Sequence, residues 1–259
     1  MRLPLQNYFQ LGHMEGNSQQ FVCINCGRSV PELYRRISST VLKITDCEKC
    51  NSPADKYIEF EALIILLDFV LMNKSAYRHI IYNLNCKNLW KFGVIVILLE
   101  AYCLWTEIFS KFTNVRYRSD HADSFLTEKG FYVSSLHILI GNILLYIFVY
   151  LLTRILLKWV STDSDVTKPY PLVLLQGIVL ASIAKFFFIP TIIWKQNVTD
   201  PAMAIHILLV VTYFVISLIQ IHSVISHCSW AKSAVIVLLA LFVKTYFLTE
   251  ISLFLNTLM

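Results

Sequence analysis

The sequence predicts an all-α polytopic membrane protein with a small zinc-ribbon-like module of four cysteines near its N-terminus. Three observations predict this class. The chain has 259 residues, of which 56% are hydrophobic and 15% are charged, whereas soluble domains usually carry about 25% charged residues. Beyond residue 88, five apolar stretches are long enough to cross about 30 Å of hydrocarbon. Two Cys-x-x-Cys pairs stand ahead of those stretches.

The first segment, residues 1–20, is expected to be a flexible arm. It is rich in Gln, Asn and Gly and has no apolar run long enough for a secretory signal, so membrane insertion is expected to use internal segments. The net charge of +5, together with the apolar runs, favours contact with anionic lipid headgroups. No basic stripe interleaved with aromatic residues is present, so nucleic acid is not an expected partner.

Residues 21–60 contain the predicted metal module. Its ligands are Cys23 and Cys26 in the first pair and Cys47 and Cys50 in the second, with 20 residues between the pairs. Each pair can form a tight knuckle that points two thiolates at one ion. Four thiolates close a tetrahedral Zn2+ shell with no open position, which is the structural form of a zinc site. Zinc binding should therefore supply most of the folding free energy of the module.

The residues around the cysteines agree with a knuckle fold. Gly27 provides backbone freedom for the first turn, and residues 41–45 alternate as a strand that leads into the second. Disulfide bonds are an alternative, but they require an oxidising compartment. A redox-active dithiol is another, but no βαβ pattern surrounds either pair. Bound zinc in turn favours a module on the reducing, cytosolic side of the membrane.

Residues 61–88 are predicted to be a helical linker. Residues 62–72 are apolar except at Asp68, and eleven residues are too few to span a bilayer. Farther on, apolar and polar side chains fall on opposite faces of a helix. One face holds Tyr77, Ile80, Ile81 and Leu84, and the other holds Arg78, His79 and Asn83. Two interpretations stay open: an amphipathic helix at the membrane interface, or a core helix packed beneath the module.

Residues 89–259 form the predicted transmembrane domain. The expected spans are 89–109, 131–153, 171–194, 201–225 and 234–255. Pro190 should kink the third span, and Gly177 should allow a close helix contact there. With a cytosolic module, eight Lys and Arg residues near the spans fall on the cytosolic side and five on the other, which favours this orientation.

Glu100 and Lys185 are ionisable residues inside the predicted spans. Charged groups at that depth are costly, so they face a bundle interior, a cavity or one another. We interpret the two residues either as a polar slot for a lipid headgroup or sterol hydroxyl, or as a structural pair between helices. The sequence has no nucleophile elbow, His-Glu-x-x-His motif or phosphate-binding loop, so the prediction is that the protein is not an enzyme.

Taken together, these motifs resemble the Arv family of endoplasmic-reticulum membrane proteins of sterol and sphingolipid homeostasis. The resemblance is dense over residues 21–105 and thin over 106–130 and after 200. The matching residues are the two Cys-x-x-Cys pairs, Asp55-Lys-Tyr-Ile-Glu59, Ala76-Tyr-Arg-His79 with Asn83, and Lys185-x-x-x-Ile189-Pro190 followed by Ile193-Trp194. It implies a multi-pass protein of the endoplasmic-reticulum membrane, with the Golgi as a second location.

Three functions follow as hypotheses, of which we favour the first. It is intracellular transport and homeostasis of sterols, sphingolipids and glycosylphosphatidylinositol intermediates through lipid binding in the helical bundle. The second is a non-catalytic accessory protein that recruits or stabilises a lipid- or glycosylphosphatidylinositol-synthesising membrane complex. The third is a multipass lipid-modifying enzyme with a His or Glu as general base. Candidates for contacting a lipid or partner are Asp55, Tyr57, Glu59, Tyr77, Arg78, His79, Asn83, Glu100 and Lys185.

Overall fold

A computed structural model describes residues 21–38, 42–84, 88–115, 124–157, 170–194 and 200–258. The predicted flexible arm, residues 1–20, lies outside the described residues.

Two short β-hairpins build the cysteine module. Strand β1 (Phe21–Val22) pairs antiparallel with β2 (Ser29–Val30), and β3 (Tyr34–Arg36) pairs antiparallel with β4 (Leu42–Ile44). The first hairpin encloses the first cysteine pair, and β4 leads into the second pair, which confirms the predicted strand. The small core of the module consists of Cys23, Val30, Leu33, Cys47 and Ala54. This core is too small to stabilise an independent domain of this length by itself.

The linker is a helical hairpin. Helix α1 (Ala62–Val70) is followed by α2 (Lys74–Arg78), which continues into a π-helical turn (His79–Asn83). The side chain of Asn73 caps α2 by accepting a hydrogen bond from the backbone N–H of Ser75 at 3.1 Å.

Side chains on both predicted faces of residues 77–84 are buried, and a position of this segment at the membrane interface stays a prediction. Tyr77 and Ile81 pack into the bundle core. His79 and Asn83, on the polar face, are buried against the module. The second interpretation, a core helix packed beneath the module, agrees with the structure.

In the described part of the chain beyond residue 88, six further helices form the bundle. They are α3 (Leu89–Val115), α4 (Ser124–Leu156), α5 (Tyr170–Ser182), α6 (Phe188–Trp194), α7 (Asp200–Ile225) and α8 (Trp230–Leu258). Among the described residues, five helical stretches are long and apolar enough to cross a membrane. These are Leu89–Thr106, Glu128–Leu156, Tyr170–Pro190, Pro201–Ile225 and Trp230–Glu250. They fit a multi-pass membrane protein. Helices α4 and α8 begin before the predicted spans. An apolar run predicts only which residues lie in the hydrocarbon layer, and a helix can extend beyond that layer.

The third spanning stretch is interrupted. Between α5 and α6 the chain forms a 3-10 turn, Ile183–Phe187. Pro190 has no N–H to donate to the carbonyl of Phe186, and its ring crowds that carbonyl, so the helix tightens just before the proline. The structure thus shows a local change of helix geometry one turn ahead of Pro190, and the kink itself stays a prediction.

Helices α5 and α7 approach each other closely at Gly177. A Cβ atom at this position would lie 2.5 Å from Cδ1 of Ile225 and 2.7 Å from Cγ2 of Ile221. No side chain larger than hydrogen fits there without movement of these isoleucine side chains, which agrees with the predicted role of this glycine.

Candidate functional site

The four predicted ligands converge on one point. The sulfur atoms of Cys23, Cys26, Cys47 and Cys50 lie within 4.8 Å of one another. The Sγ–Sγ distance is 3.7 Å between Cys23 and Cys50 and 3.6 Å between Cys26 and Cys47. Sulfurs around one tetrahedral zinc ion at about 2.3 Å are about 3.8 Å apart. The cluster therefore fits one such ion. The four residues are free cysteines, with sulfurs too far apart for disulfide bonds.

The two knuckles have the same backbone geometry. The N–H of Gly27 donates to the carbonyl of Cys23 at 2.9 Å, and the N–H of Asn51 donates to the carbonyl of Cys47 at 2.8 Å. Both donors lie in the left-handed region, with φ of +78° and +50°. The sequence analysis found Gly27 but missed Asn51, although asparagine tolerates this region better than most residues and directly follows the second pair.

Two of the thiols have strongly shifted pKa values. Burial raises the pKa of Cys23 to about 12, although backbone N–H groups of Cys26 and Asn25 oppose the shift. Burial acts in the same direction on Cys47, but backbone N–H groups and neighbouring thiols outweigh it and lower the pKa to about 7. A metal binds thiolates, so a cation would replace the protons on these sulfurs and neutralise their charge.

The first knuckle rests on the membrane domain. Nη1 of Arg78 donates to the carbonyls of Ile24 and Asn25 at 2.8 and 2.7 Å. A Cβ atom at Gly27 would lie 3.4 Å from His227, in the loop between α7 and α8, and 3.5 Å from Arg78. These contacts hold the knuckle against α2 and against one end of the bundle.

A buried polar network joins the module to the π-helical turn. Oδ2 of Asp55 accepts hydrogen bonds from Nδ1 of His79 and Nδ2 of Asn83, both at 2.6 Å, and Oδ1 accepts one from the N–H of Tyr57 at 3.0 Å. Asn83 also bonds both backbone groups of Val22 in β1, each at 2.9 Å. Since hydrogen bonds to a charged partner in a buried site are among the stronger ones, this network fixes how the module sits.

Most of the predicted lipid- or partner-contacting residues make contacts within the protein. Asp55, His79 and Asn83 are buried and bonded to one another, so contact with a headgroup would require the network to open. Glu59 differs from these three residues because its side chain is exposed, directly after a short 3-10 helix, Lys56–Ile58.

The two predicted tyrosines are buried as well. Burial raises the pKa of Tyr57, so its hydroxyl stays protonated and donates to Asp68 at 2.5 Å. Burial raises the pKa of Tyr77 to about 12. Neither hydroxyl titrates near neutral pH, so both act as fixed hydrogen-bonding groups.

Inside the bundle, Glu100 and Lys185 form an ion pair between α3 and the 3-10 turn. Nζ of Lys185 donates to Oε2 of Glu100 at 2.7 Å, and the side chains are 5% and 22% exposed. The ammonium group also lies 4.6 Å from the ring centre of Phe214 in α7. The two residues are thus partners of each other, as one of the two interpretations predicted.

An apolar pocket opens on the other side of the same 3-10 turn. Its cavity volume is about 20 Å3, and it lies between the end of α1, the 3-10 turn and α7. Its lining residues are Phe69, Val70, Leu180, Ala181, Ile183, Ala184, Phe187, Tyr213 and Ser217. The hydroxyl of Ser217 is buried beside the hydroxyls of Tyr77 and Tyr213. The sequence analysis missed this pocket, because its walls come from three segments far apart in the chain.

Comparison with known proteins agrees with the motifs. A model of the Arv1-like family matches residues 22–218, which include the cysteine module, the helical hairpin, the 3-10 turn and most of α7. This chain belongs to the Arv1-like family. Protein ARV1 of Homo sapiens is 32% identical over 184 residues, and that of Mus musculus is 33% identical over 182 residues. Protein ARV1 of Bos taurus is 32% identical over 187 residues.

These Arv1-like relatives are longer than the region of similarity. The match covers 71%, 68% and 70% of this chain and 65%, 64% and 62% of the human, mouse and cattle proteins. The chain thus spans less than two thirds of their length. No solved structure matches it.

Proposed function

We propose that this protein binds lipid within its helical bundle and takes part in intracellular sterol transport and homeostasis in the endoplasmic-reticulum membrane. Sphingolipids and glycosylphosphatidylinositol intermediates are further lipids in this proposal, and no catalytic step is assigned. The cysteine module lies on the cytosolic side and holds one structural Zn2+ through Cys23, Cys26, Cys47 and Cys50. Membership of the Arv1-like family and five apolar helices support the proposal.

The observation that carries it is the broken third helix. The 3-10 turn has the apolar pocket on one side and the Lys185–Glu100 pair on the other. In membrane proteins, interrupted helices bring backbone and polar groups to binding sites within the bilayer, and irregular backbone at that depth is tolerated where it lines a cavity.

The pocket suits one end of a lipid that carries a hydroxyl group. Its cavity volume of about 20 Å3 admits about one water-sized group, so only the hydroxyl end of a lipid would enter it and the rest would lie in the surrounding bilayer. Ser217 supplies the polar contact, because its hydroxyl is buried in the pocket wall beside the hydroxyls of Tyr77 and Tyr213. A sterol, which is apolar except for one hydroxyl, has this combination.

The test is photo-crosslinking of the purified protein in lipid nanodiscs with a photoactivatable sterol. We expect saturable labelling of peptides from the 3-10 turn and α7. Ser217→Ala should weaken labelling by about 5-fold, because one hydrogen bond is worth about 1 kcal/mol. Ser182→Ala is the matched control, since that hydroxyl already donates to the carbonyl of Ile178 within its own helix. Labelling that does not saturate, or that both variants alter equally, would contradict sterol binding at this pocket.

The second candidate function is an accessory protein for a lipid- or glycosylphosphatidylinositol-synthesising complex. The observation in its favour is that buried contacts hold the module rigidly on the bundle, so that it presents a fixed outer face with exposed Arg28, Lys43 and Lys49. Stoichiometric co-purification with such a complex, lost on charge reversal of these three residues and without sterol labelling, would favour this function over the first.

A further inference from the structure

Helix α1 has an apolar outer face that no other described segment covers. Leu63 is 63% exposed and Leu71 at its end is 74% exposed, and Leu66 and Leu67 are exposed between them. In a water-soluble region such a contiguous patch would be a liability. The helix has nine residues, about 13 Å in length, so it cannot cross a bilayer.

Two side chains of α7, a candidate membrane-spanning helix, donate hydrogen bonds to backbone carbonyls in the turn after α1. The hydroxyl of Tyr213 donates to the carbonyl of Val70 at 2.6 Å, and Nε2 of Gln220 donates to the carbonyl of Met72 at 3.2 Å. Water would satisfy these carbonyls at no cost if the turn were in solvent. In hydrocarbon, carbonyls at a helix end need protein donors, and α7 supplies two of them.

The position of those donors indicates how far the turn lies below the module. Gln220 and Tyr213 are 5 and 12 residues before Ile225, the last residue of α7, which is about 8 and about 18 Å along the helix axis. Leu209, one helical turn farther from the module than Tyr213, is 63% exposed in a candidate membrane span. The turn after α1 therefore lies beside a part of α7 that is expected to face acyl chains.

The charged residue of α1 is held on the inner side. Asp68 accepts a hydrogen bond from the hydroxyl of Tyr57 at 2.5 Å and one from Nδ2 of Asn73 at 3.5 Å. Lys56 lies 3.9 Å from the same carboxylate. With its carboxylate partnered by the module and the turn, α1 can present an uncharged face outward.

From these contacts we propose that α1 and α2 form a re-entrant hairpin. It enters the leaflet on the side of the module, turns at residues 71–73 without crossing, and returns to the module, while the acyl chains of that leaflet cover the leucine face of α1. The occupant is the lipid bilayer itself. The proposal does not depend on sterol binding, because any phospholipid bilayer would provide the same cover.

The test uses the full chain in nanodiscs of phosphatidylcholine without sterol, with a phospholipid that carries a photoactivatable group in its acyl chain. Adducts are mapped by peptide mass spectrometry. We expect adducts on residues 62–71 as often as on the α7 peptide that contains Leu209. The matched control is Ile37, an exposed apolar residue of the module (67% exposed), which should stay at background.

Two results would overturn the proposal. One is the absence of adducts on residues 62–71 while Leu209 is labelled, which would place α1 in water or beneath a second protein copy. The other is equal labelling of Ile37 and α1. A second variant pair keeps the test independent of the probe: Leu67→Asp should reduce the amount of protein extracted in folded form from membranes, whereas Ile37→Asp should not. Equal amounts of the two variants would count against immersion of α1.

Discussion

Replacement of Asn83 by alanine tests whether the buried network fixes the module to the membrane domain. The change removes two hydrogen bonds to the backbone of Val22 and one to the carboxylate of Asp55. With about 1 kcal/mol for each of the first two and about 2 kcal/mol for the bond to the carboxylate, the loss is about 4 kcal/mol. Because whole proteins are stable by only about 5–15 kcal/mol, the module should detach or unfold well before the bundle does.

The assay is limited proteolysis of the purified protein over a temperature series, with cleavage followed separately in residues 21–60 and in the bundle. Asn83→Ala should shift module cleavage to markedly lower temperature and leave bundle cleavage nearly unchanged. The control is Asn25→Ala, since Asn25 is exposed and its side chain makes one long hydrogen bond of 3.4 Å to Pro53. If the two variants behave alike, the network does not hold the module and our reading of its geometry is wrong.

Three further predictions concern the metal, the ion pair and helix packing. Cys47→Ser should release zinc from the purified protein, and unchanged zinc content by elemental analysis would refute the site. Glu100→Gln or Lys185→Met alone should lower the free energy of unfolding by about 3–5 kcal/mol, because each substitution leaves the other residue's charge without its partner. The double variant should recover part of this loss. Strictly additive losses would show that the two residues are not coupled. Gly177→Ala should cost about 1–3 kcal/mol through overpacking, whereas Gly93→Ala, whose nearest contact would be 3.4 Å, should not; equal melting temperatures would contradict the close approach.

The cysteine module was predictable because its determinants are local in sequence. The spacing of each Cys-x-x-Cys pair forces a knuckle, and Gly27 and β4 followed from the residues beside the pairs. A local disturbance of the third span was predictable for the same reason, since Pro190 acts on the carbonyl four residues before it.

The role of the polar linker residues was not predictable from helical periodicity. The pattern places His79 and Asn83 opposite Tyr77, and a polar face is normally assigned to solvent or to the membrane interface. Here the module covers that face, with Asn83 bonded to Val22, 61 residues earlier. On the side of Val22 the contact is made by backbone groups, so the residue type at that position gives no sign of it. The sequence also did not decide whether Lys185 pairs with Glu100, which lies 85 residues earlier. A buried charge indicates that a partner exists but does not identify it.

The module and the pocket belong to one packed unit. The Asp55 network holds the module on the π-helical turn at the end of the helical hairpin. The first helix of that hairpin, α1, ends at Val70, which lines the pocket and accepts a hydrogen bond from Tyr213. A shift of the module that pulled on Asn83 would have to move α2, and α2 packs on α7 beside the pocket. A structural metal bound to the four cysteines would therefore do more than fold its own residues, because it would also stabilise the buried contacts that connect the module to the wall of the pocket.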